Sequence, residues 1–422
     1  MSAATAAVAR AAGINRRALG LSIFYFILAA VIMIVFVGST DADAQTIFIL
    51  NLGTAPIVTL PQVSVPSTLT MTLMAAVCAF CGAMQLTRAV GARWAILLTI
   101  AMIAFISAFL TWAAAGTSMN LVGIFQTTLF RAVPITFGAL SGVLCERAGV
   151  VNIAIEGMLL SGAFVASVVA SITANPWLGV IAAVLAGGLL AWVLAVLAIR
   201  YRVNQIIAGT VINLFAVGMT SFLYSRVLAG NPDLNVPPRL GPIAIPILSD
   251  LPIVGPILFA GNFFVYAVFV LVIAIHFALF HTRYGLRVRS VGEHPRAADT
   301  VGINVNFTRY RNVILGGMVA GLGGAYFTIG STGSFEQEMT AGRGFIGLAA
   351  MIFGGWTPVG AFLASLVFGF ADALQSRLSI LGSAVPGEFL MMIPYITTIV
   401  VVAGLVGRVR MPEADGTPYV KE

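Results

Sequence analysis

Side chains able to do chemistry are few in this chain, and their placement limits what that chemistry can be. Lysine occurs once, at Lys421. No lysine therefore follows a glycine-rich loop to hold phosphate charge, as a P-loop ATPase requires. The three histidines, His276, His281 and His294, share one short stretch, and there is no HExxH; neither a hydrolytic triad nor a zinc site is expected. Cys78 and Cys81 have CxxC spacing but no second pair and no neighbouring histidine, and like Cys145 they sit in or beside apolar runs. Small packing residues describe them better than redox or metal ligands. Two groups of interest remain. Arg131, Glu156 and Asp372 lie deep within apolar runs, and the stretch HTRYGLRVRSVGEHPRAADTVGINVNFTRYR (281–311) is a polar island carrying Arg283, Arg287, Arg289, Arg296, Arg309 and Arg311 against Glu293 and Asp299.

The surroundings explain why these groups matter. Of 422 residues, 59% are hydrophobic and 9% charged, with a mean hydropathy of +1.02; a soluble domain carries about 25% charged residues. The chain reads as an all-α polytopic bundle. A crossing needs about 20 apolar residues, and such windows fall at 20–38, 68–86, 94–115, 121–143, 152–174, 176–199, 204–229, 261–280, 312–332, 358–377 and 387–407. The run 344–356 is shorter, either a tilted short helix or a re-entrant half-helix, and brings the expectation to about 12 crossings. Placing the N-terminus inside, with 344–356 as a true crossing, collects Arg10, Arg16, Arg17, Arg88, Arg93, Arg147, Arg200, Arg202, the 281–311 cluster, Arg408, Arg410 and Lys421 on the cytoplasmic side. The positive-inside rule selects this topology, with both termini cytoplasmic. The net charge of +7 is accounted for by that bias and needs no nucleic acid.

Between the spans, 39–67 reads as an external loop of mildly β-like character. An Ala42-Asp43-Ala44 cleavage pattern after the first apolar run is set aside because that run is longer than a signal core. Residues 230–260 hold seven prolines, which argue against any helix there. In the polar island, Pro295 stands where a first helical turn accepts proline and Gly302 where a helix stops, so a short capped helix is expected on the cytoplasmic surface. The alternative for this island is contact with anionic lipid headgroups.

Within the spans, an ionised group at a helix centre costs about 2.5–3.5 kcal/mol on insertion scales, so such groups face a cavity or a partner. Asn152 and Glu156, four apart, are expected on one helix face, either lining a pathway or, for Glu156, capping a broken helix or pairing with Arg131 or Arg147. Asp372 is read as a gate or as a link between helices. Asn204, Gln205 and Asn213 form a polar stripe, with Gly209 and Ala216 stacking on it at helical spacing. Amides there suit a polar solute, and equally hold helices together in lipid. Gly138/Gly142 and Gly317/Gly321 read as close-packing pairs. Tyr326, Phe327 and Trp356 read first as packing or interface residues.

Three blocks carry a resemblance: CERAGVVNIAIEGMLLSGAF (145–164), RYGLRVRSVGEHPRAADTVGINV (283–305) and GRGFIGLAAMIFGGWTPVGAFLASLVFGFADALQ (342–375). In this order they resemble bacterial ABC-importer permeases of the branched-chain amino acid, ribose and nucleoside superfamily, and within it the nucleoside or simple-sugar branch. The resemblance covers 121–407 and implies a type II importer core, a coupling loop at 281–311, and a cytoplasmic tail at 408–422; residues 1–120, with three expected spans, form an extension outside it. It further implies that Arg287, Glu293, His294, Pro295, Arg296 and Asp299 meet a cytoplasmic ATPase subunit. ATP and magnesium belong to that partner, and this chain binds no cofactor. A second permease subunit, copy or paralogue, and an extracytoplasmic substrate-binding lipoprotein complete the implied assembly in the bacterial inner membrane. The residues alone leave rivals open: an ion-coupled secondary transporter, a permease for another solute such as branched-chain amino acids, or a receptor that moves nothing.

Overall fold

The computed structural model describes residues 16–51, 60–86, 94–380, Met392 and 410–421. The expected span 387–407, and with it Arg408, lies outside the described residues, as do Arg10, Arg88 and Arg93. The chain divides into two compact units that meet in sequence at Val122–Gly123.

In the first unit, helices α1 (Arg16–Val31, continuing in a wider turn to Val37), α2 (Ser67–Leu86) and α3 (Trp94–Ala113) pack around Tyr25, Ile32, Met71, Ala75, Ala101 and Ala104. Cys78 and Cys81 are buried in the same seam as free thiols. The segment after α1 forms β1 (Gln45–Ile49), antiparallel to β2 (Val63–Pro66) and parallel to β3 (Ser118–Asn120). The buried Thr46 hydroxyl bonds Ser67 Oγ and donates to Thr111 O, tying the sheet to its helices.

The second unit contains α4 (Leu121–Glu146), α5 (Ile155–Thr173), α6 (Pro176–Ala195), α7 (Gln205–Leu223), α8 (Val254–Leu258), α9 (Phe263–His281), α10 (Arg283–Glu293), α11 (Pro295–Thr300), α12 (Val305–Phe327), α13 (Arg343–Phe353) and α14 (Pro358–Ile380). Across both units ten described helices are long and apolar enough to cross a membrane. Ile206, Val211, Leu214, Val270, Ile273 and Phe277 are exposed along α7 and α9, as befits helices solvated by lipid.

The 230–260 stretch is not free of helix, as the prolines suggested. A 3-10 turn spans Pro232–Asn235 and α8 is a single five-residue helix. Pro232 opens its turn and Pro256 is the third residue of α8, positions whose N–H groups have no partner within a helix in any case.

The tightest seam joins α5, α6 and α12. A Cβ placed at Gly317, Gly321 or Gly324 would fall inside contact distance of Ala191, of Ala183 O and of Leu159 O respectively, and one at Gly187 would strike Gly317 O. Helices held backbone to backbone in this way associate through dispersion where lipid offers no hydrophobic drive. Gly138 and Gly142 on α4 play the same part against Gly347 and Met351 of α13. Replacing Gly321 by valine should therefore cost about 1–3 kcal/mol or more, read as a lowered midpoint of thermal unfolding in detergent. Gly218→Ala, where nothing lies within 4 Å, should leave that midpoint unchanged or slightly raised.

Candidate translocation site and coupling elbow

Two helices of the second unit start inside the bundle. With 11 residues, α13 is about 16 Å long at 1.5 Å per residue, roughly half of the 30 Å hydrocarbon core. Its register against α4 is fixed by Gly344 near Gly138, Gly347 near Ala139, Met351 near Gly142, and Trp356 near Glu146. It thus runs beside only the last half of α4. The half-helix reading of 344–356 holds for its shape; the residues before it, 333–342, form bends and turns, with Gly333, Glu338, Ala341 and Gly342 at positive φ. The second interrupted helix is α5. The chain leaves α4 at Glu146, turns at Gly149 (φ +81°), and runs without helix to Ala154. Asn152 and Glu156 consequently do not share a helix face as their spacing suggested. Asn152 lies before the helix, fully buried, with Nδ2 3.4 Å from Ser141 Oγ.

Glu156 joins the two breaks. Its Oε1 accepts from Thr340 Oγ1 at 2.6 Å and from the Gly342 N–H at 2.8 Å, and its Oε2 accepts from the Gly344 N–H at 2.6 Å. Gly342 precedes the helix with φ +78° and has no side chain to offer, so the first turn of α13 is capped from α5. A carboxylate suits that end of a helix for both its lone pairs and its charge. Of the readings of Glu156 drawn from sequence, the cap is the one observed; neither Arg131 nor Arg147 pairs with it. Arg147 instead donates to the carbonyls of Trp356 and Gly355.

The polar stripe of α7 serves the other break. Gln205 Oε1 accepts from the Val151 N–H at 2.7 Å; Asn213 Oδ1 accepts from the Gly157 N–H at 2.8 Å while its Nδ2 donates to Ile153 O at 2.9 Å. Asn204 stands apart: exposed, it caps its own helix through the N–H groups of Ile206 and Ile207. Only Gln205 and Asn213, buried together with Gly209 and Ala216, belong to the internal cluster, where they splint unwound backbone.

Asp372 on α14 sits between two arginines, with Oδ2 3.3 Å from Arg343 Nη2 and 3.7 Å from Arg131 Nη1. The Arg343 guanidinium also lies 5.7 Å over the Phe327 ring. Two cations share one carboxylate beside the start of α13, where Glu156 lies on the N–H groups flanking Arg343, and the Arg131 side chain is 39% exposed. Sequence reasoning passed over Arg343 because it opens a short segment that looked like a boundary. Its spacing of one residue from each of two glycines, Gly342 and Gly344, was the available signal. Tyr326 and Trp356 are packing residues whose polar tips are satisfied, the first on Phe130 O and the second on Glu146 Oε2.

At the end of the bundle where α4 finishes, the polar island forms an elbow of two helices where a loop with one helix was expected. Thr282 caps α10 through the Gly285 N–H; α11 begins at Pro295, without a side-chain cap at His294, and the chain turns at Gly302 (φ +84°). Arg287, Glu293, His294 and Arg296 are exposed there, while Pro295 and Asp299 are partly covered. Arg309 departs from the expected surface cluster: because α12 begins at Val305, the fifth residue faces inward and is 1% exposed. Arg283, Arg287 and Arg311 line a basic hollow of about 770 Å³ beside Leu286 and Phe307.

A many-helix bundle with two helices beginning in its interior, internal charge and a cationic elbow at one end defines a multi-pass membrane permease. Residues 124–402 match the family described as the permease component of branched-chain amino acid transport systems, and the chain belongs to that family. Among curated proteins it is 41% identical over 315 residues to the guanosine ABC transporter permease protein NupQ of Bacillus subtilis, covering 71% of this chain and 96% of that one. It is 39% identical over 321 residues to the nucleoside ABC transporter permease protein NupC of Lactococcus lactis, covering 72% and 99%. A putative glucose ABC transporter permease, TsgC13 of Haloferax volcanii, is 35% identical over 259 residues, covering 60% and 77%. No solved structure matches.

Two substitutions probe the internal cluster. Glu156→Gln leaves one carbonyl oxygen for three donors, and with hydrogen bonds to a charged group worth about 1.5–3 kcal/mol each it should lower the unfolding midpoint and abolish transport, whereas Glu156→Asp should keep part of both. Asp372→Ala strands two arginines and should cost about 3–5 kcal/mol. In a double-mutant cycle, adding Arg343→Ala should recover part of that loss.

Proposed function

We propose that this permease carries nucleosides, or closely related ribose-bearing solutes, inward across the membrane by alternating access, driven by a separate ATPase subunit that engages the α10–α11 elbow from the cytoplasm. The observation that carries the reading is the likeness, at 39–41% identity over 71–72% of this chain and nearly the whole length of the relatives, to permeases named for guanosine and nucleoside ABC transporters. The absence of a P-loop lysine from the sequence supports an ATPase in trans. The exposed charges of Arg287, Glu293, His294 and Arg296 suit docking to such a subunit, with ATP and magnesium held there and with a second permease and an extracytoplasmic binding lipoprotein completing the importer. Both termini then lie in the cytoplasm, the arrangement the arginine distribution favours.

The solute path in this reading runs past the interrupted starts of α5 and α13, where discontinuous helices bring backbone dipoles to the middle of a membrane protein. Asn152, Glu156, Asn213 and Asp372 act there chiefly by holding the breaks open. Gln205 belongs to the same set, and Asn204 to its rim.

Uptake of labelled guanosine into proteoliposomes containing this chain with its partner permease, its ATPase and the binding lipoprotein should require ATP inside and be indifferent to ion gradients; flux driven by a gradient without any ATPase would overturn the proposal. Glu293→Lys combined with Arg296→Glu should leave insertion and folding unchanged while lowering uptake at least tenfold. Normal coupling of hydrolysis to uptake in that variant would remove the elbow from the mechanism.

A further inference from the structure

Besides the bond of the Tyr284 hydroxyl on Asn312 Oδ1, which ties α10 to α12, the elbow joins the chain through two turns. One is Thr282, and the other is the stretch around Gly302, whose surroundings are empty within 4 Å of a notional Cβ. Its α10 end also touches the α4–α5 turn, where Gly292 lies against Arg147 O. A third support comes from the C-terminal segment 410–421. The Ala414 N–H donates to Gly292 O at 2.9 Å and the Glu413 N–H to Glu293 Oε2 at 3.3 Å. The Glu413 carboxylate lies 3.9 Å from His294 Nε2, and Lys421 Nζ lies 3.9 Å from Asp299 Oδ1. Tyr419 packs on the small cluster of Val291, Ala298 and Val305. The segment also walls, with Glu293, Pro295 and Arg296, a cavity of about 320 Å³.

Its opposite side is held by buried charge. Arg309 of α12 donates from Nη1 to Thr417 O at 2.9 Å, and the carbonyl of the tail is its only hydrogen-bond acceptor among the described residues. Asp415, 9% exposed, lies near Arg309 and near Glu146, the buried last residue of α4. Burial pushes the Asp415 carboxyl up to about 6, although Glu146, the Gly416 N–H and the Arg309 charge all pull the other way. Neither charge would be drawn out of water at this depth by the exposed ion pairs alone, since such pairs contribute little. Seating the segment gives the buried Arg309 its acceptor on Thr417 and brings Asp415 near it without a direct ion pair, so lifting the segment removes a hydrogen bond from a guanidinium already withdrawn from water. The segment thereby touches three bodies at once: the elbow, the base of α12, and the turn between α4 and α5.

We propose that residues 410–421 are a strap that makes the elbow, α12 and the α4–α5 turn move together, with Asp415 as its positioning residue. This rests on the reading that the elbow receives the ATPase's stroke. Without the strap a push on α11 is absorbed by rotation at Thr282 and Gly302; with it the push reaches the helix that packs backbone to backbone on α5 and α6, and the turn that leads to Glu156.

Two measurements test it. In the complete transporter, Asp415→Ala and a chain ending at Arg410 should retain the ATPase on purification and continue to hydrolyse ATP, while solute moved per ATP falls at least fivefold; Asp415→Glu should restore most of that ratio. An unchanged ratio overturns the strap, and so does a loss of folded protein that leaves the ratio intact, since that outcome marks a purely structural role. Hydrogen exchange on the permease alone is independent of the ATPase: Asp415→Ala should speed exchange at least tenfold across 283–300. Unaltered exchange there overturns the strap even if the elbow's docking stands, whereas faster exchange together with normal coupling in an Arg287→Glu variant, altered on the elbow but away from the segment, would overturn the docking and leave the strap.

Discussion

The second unit depends on one carboxylate. Glu156, in the first turn of α5, accepts three hydrogen bonds from the approach to α13 and its first residues. A half-helix that starts within a bundle exposes N–H groups where no water replaces a lost partner, and each such group left open in hydrocarbon costs several kcal/mol. Stacking another turn of helix would meet that demand but would also fill the interior. A cap supplied by a different helix meets it while keeping the path interrupted. Gln205 and Asn213 apply the same logic to the start of α5, so the two breaks support each other through one polar network.

The unit is consequently built from two sorts of joint. The α5–α6–α12 seam is largely backbone against backbone through glycine and alanine, with side chains such as Met318 and Leu159 filling its flanks. The joints of α7 and α13 onto α5 add hydrogen bonds between named atoms to close glycine contacts at Gly157, Gly209 and Gly344; the hydrogen bonds can be exchanged for others at little net cost where a new partner of the same kind is offered. A packed seam is bistable at best, whereas a polar joint can be remade over short distances. The Arg131–Asp372–Arg343 group adds a third element: one carboxylate divided between two cations holds α4, α14 and α13 near each other.

Much of this was legible from residue types and spacing. The helical class, the positions of the ten long spans that fall on described residues, the short helix at Pro295 and the packing role of Gly317 and Gly321 all follow from local rules: apolar length, proline at a first turn, small residues at intervals of four. The Gln205–Gly209–Asn213 stripe was legible as well, although spacing could not say whether its amides faced solute or backbone. What escaped was of another kind. Asn152 seemed to ride on a helix with Glu156 because apolar content continues through 150–154; the break there comes from the fold-back after Gly149, a tertiary event. Arg309 looked like one more surface arginine until the start of α12 at Val305 turned it inward. The partners of Glu156 are 184 to 188 residues away in sequence, as is Arg343 between them, and no local period reports a cap supplied from so far away.

The solitary lysine has a practical side. Its ε-amine stands at the end of the C-terminal segment, 3.9 Å from Asp299 on α11, and the sequence offers no other. An amine-reactive fluorophore, applied at alkaline pH to a polypeptide whose more acidic terminal amine has first been blocked near neutral pH, would therefore attach at one address beside the elbow, giving a reporter of its movements without the engineered cysteines that most transporters demand.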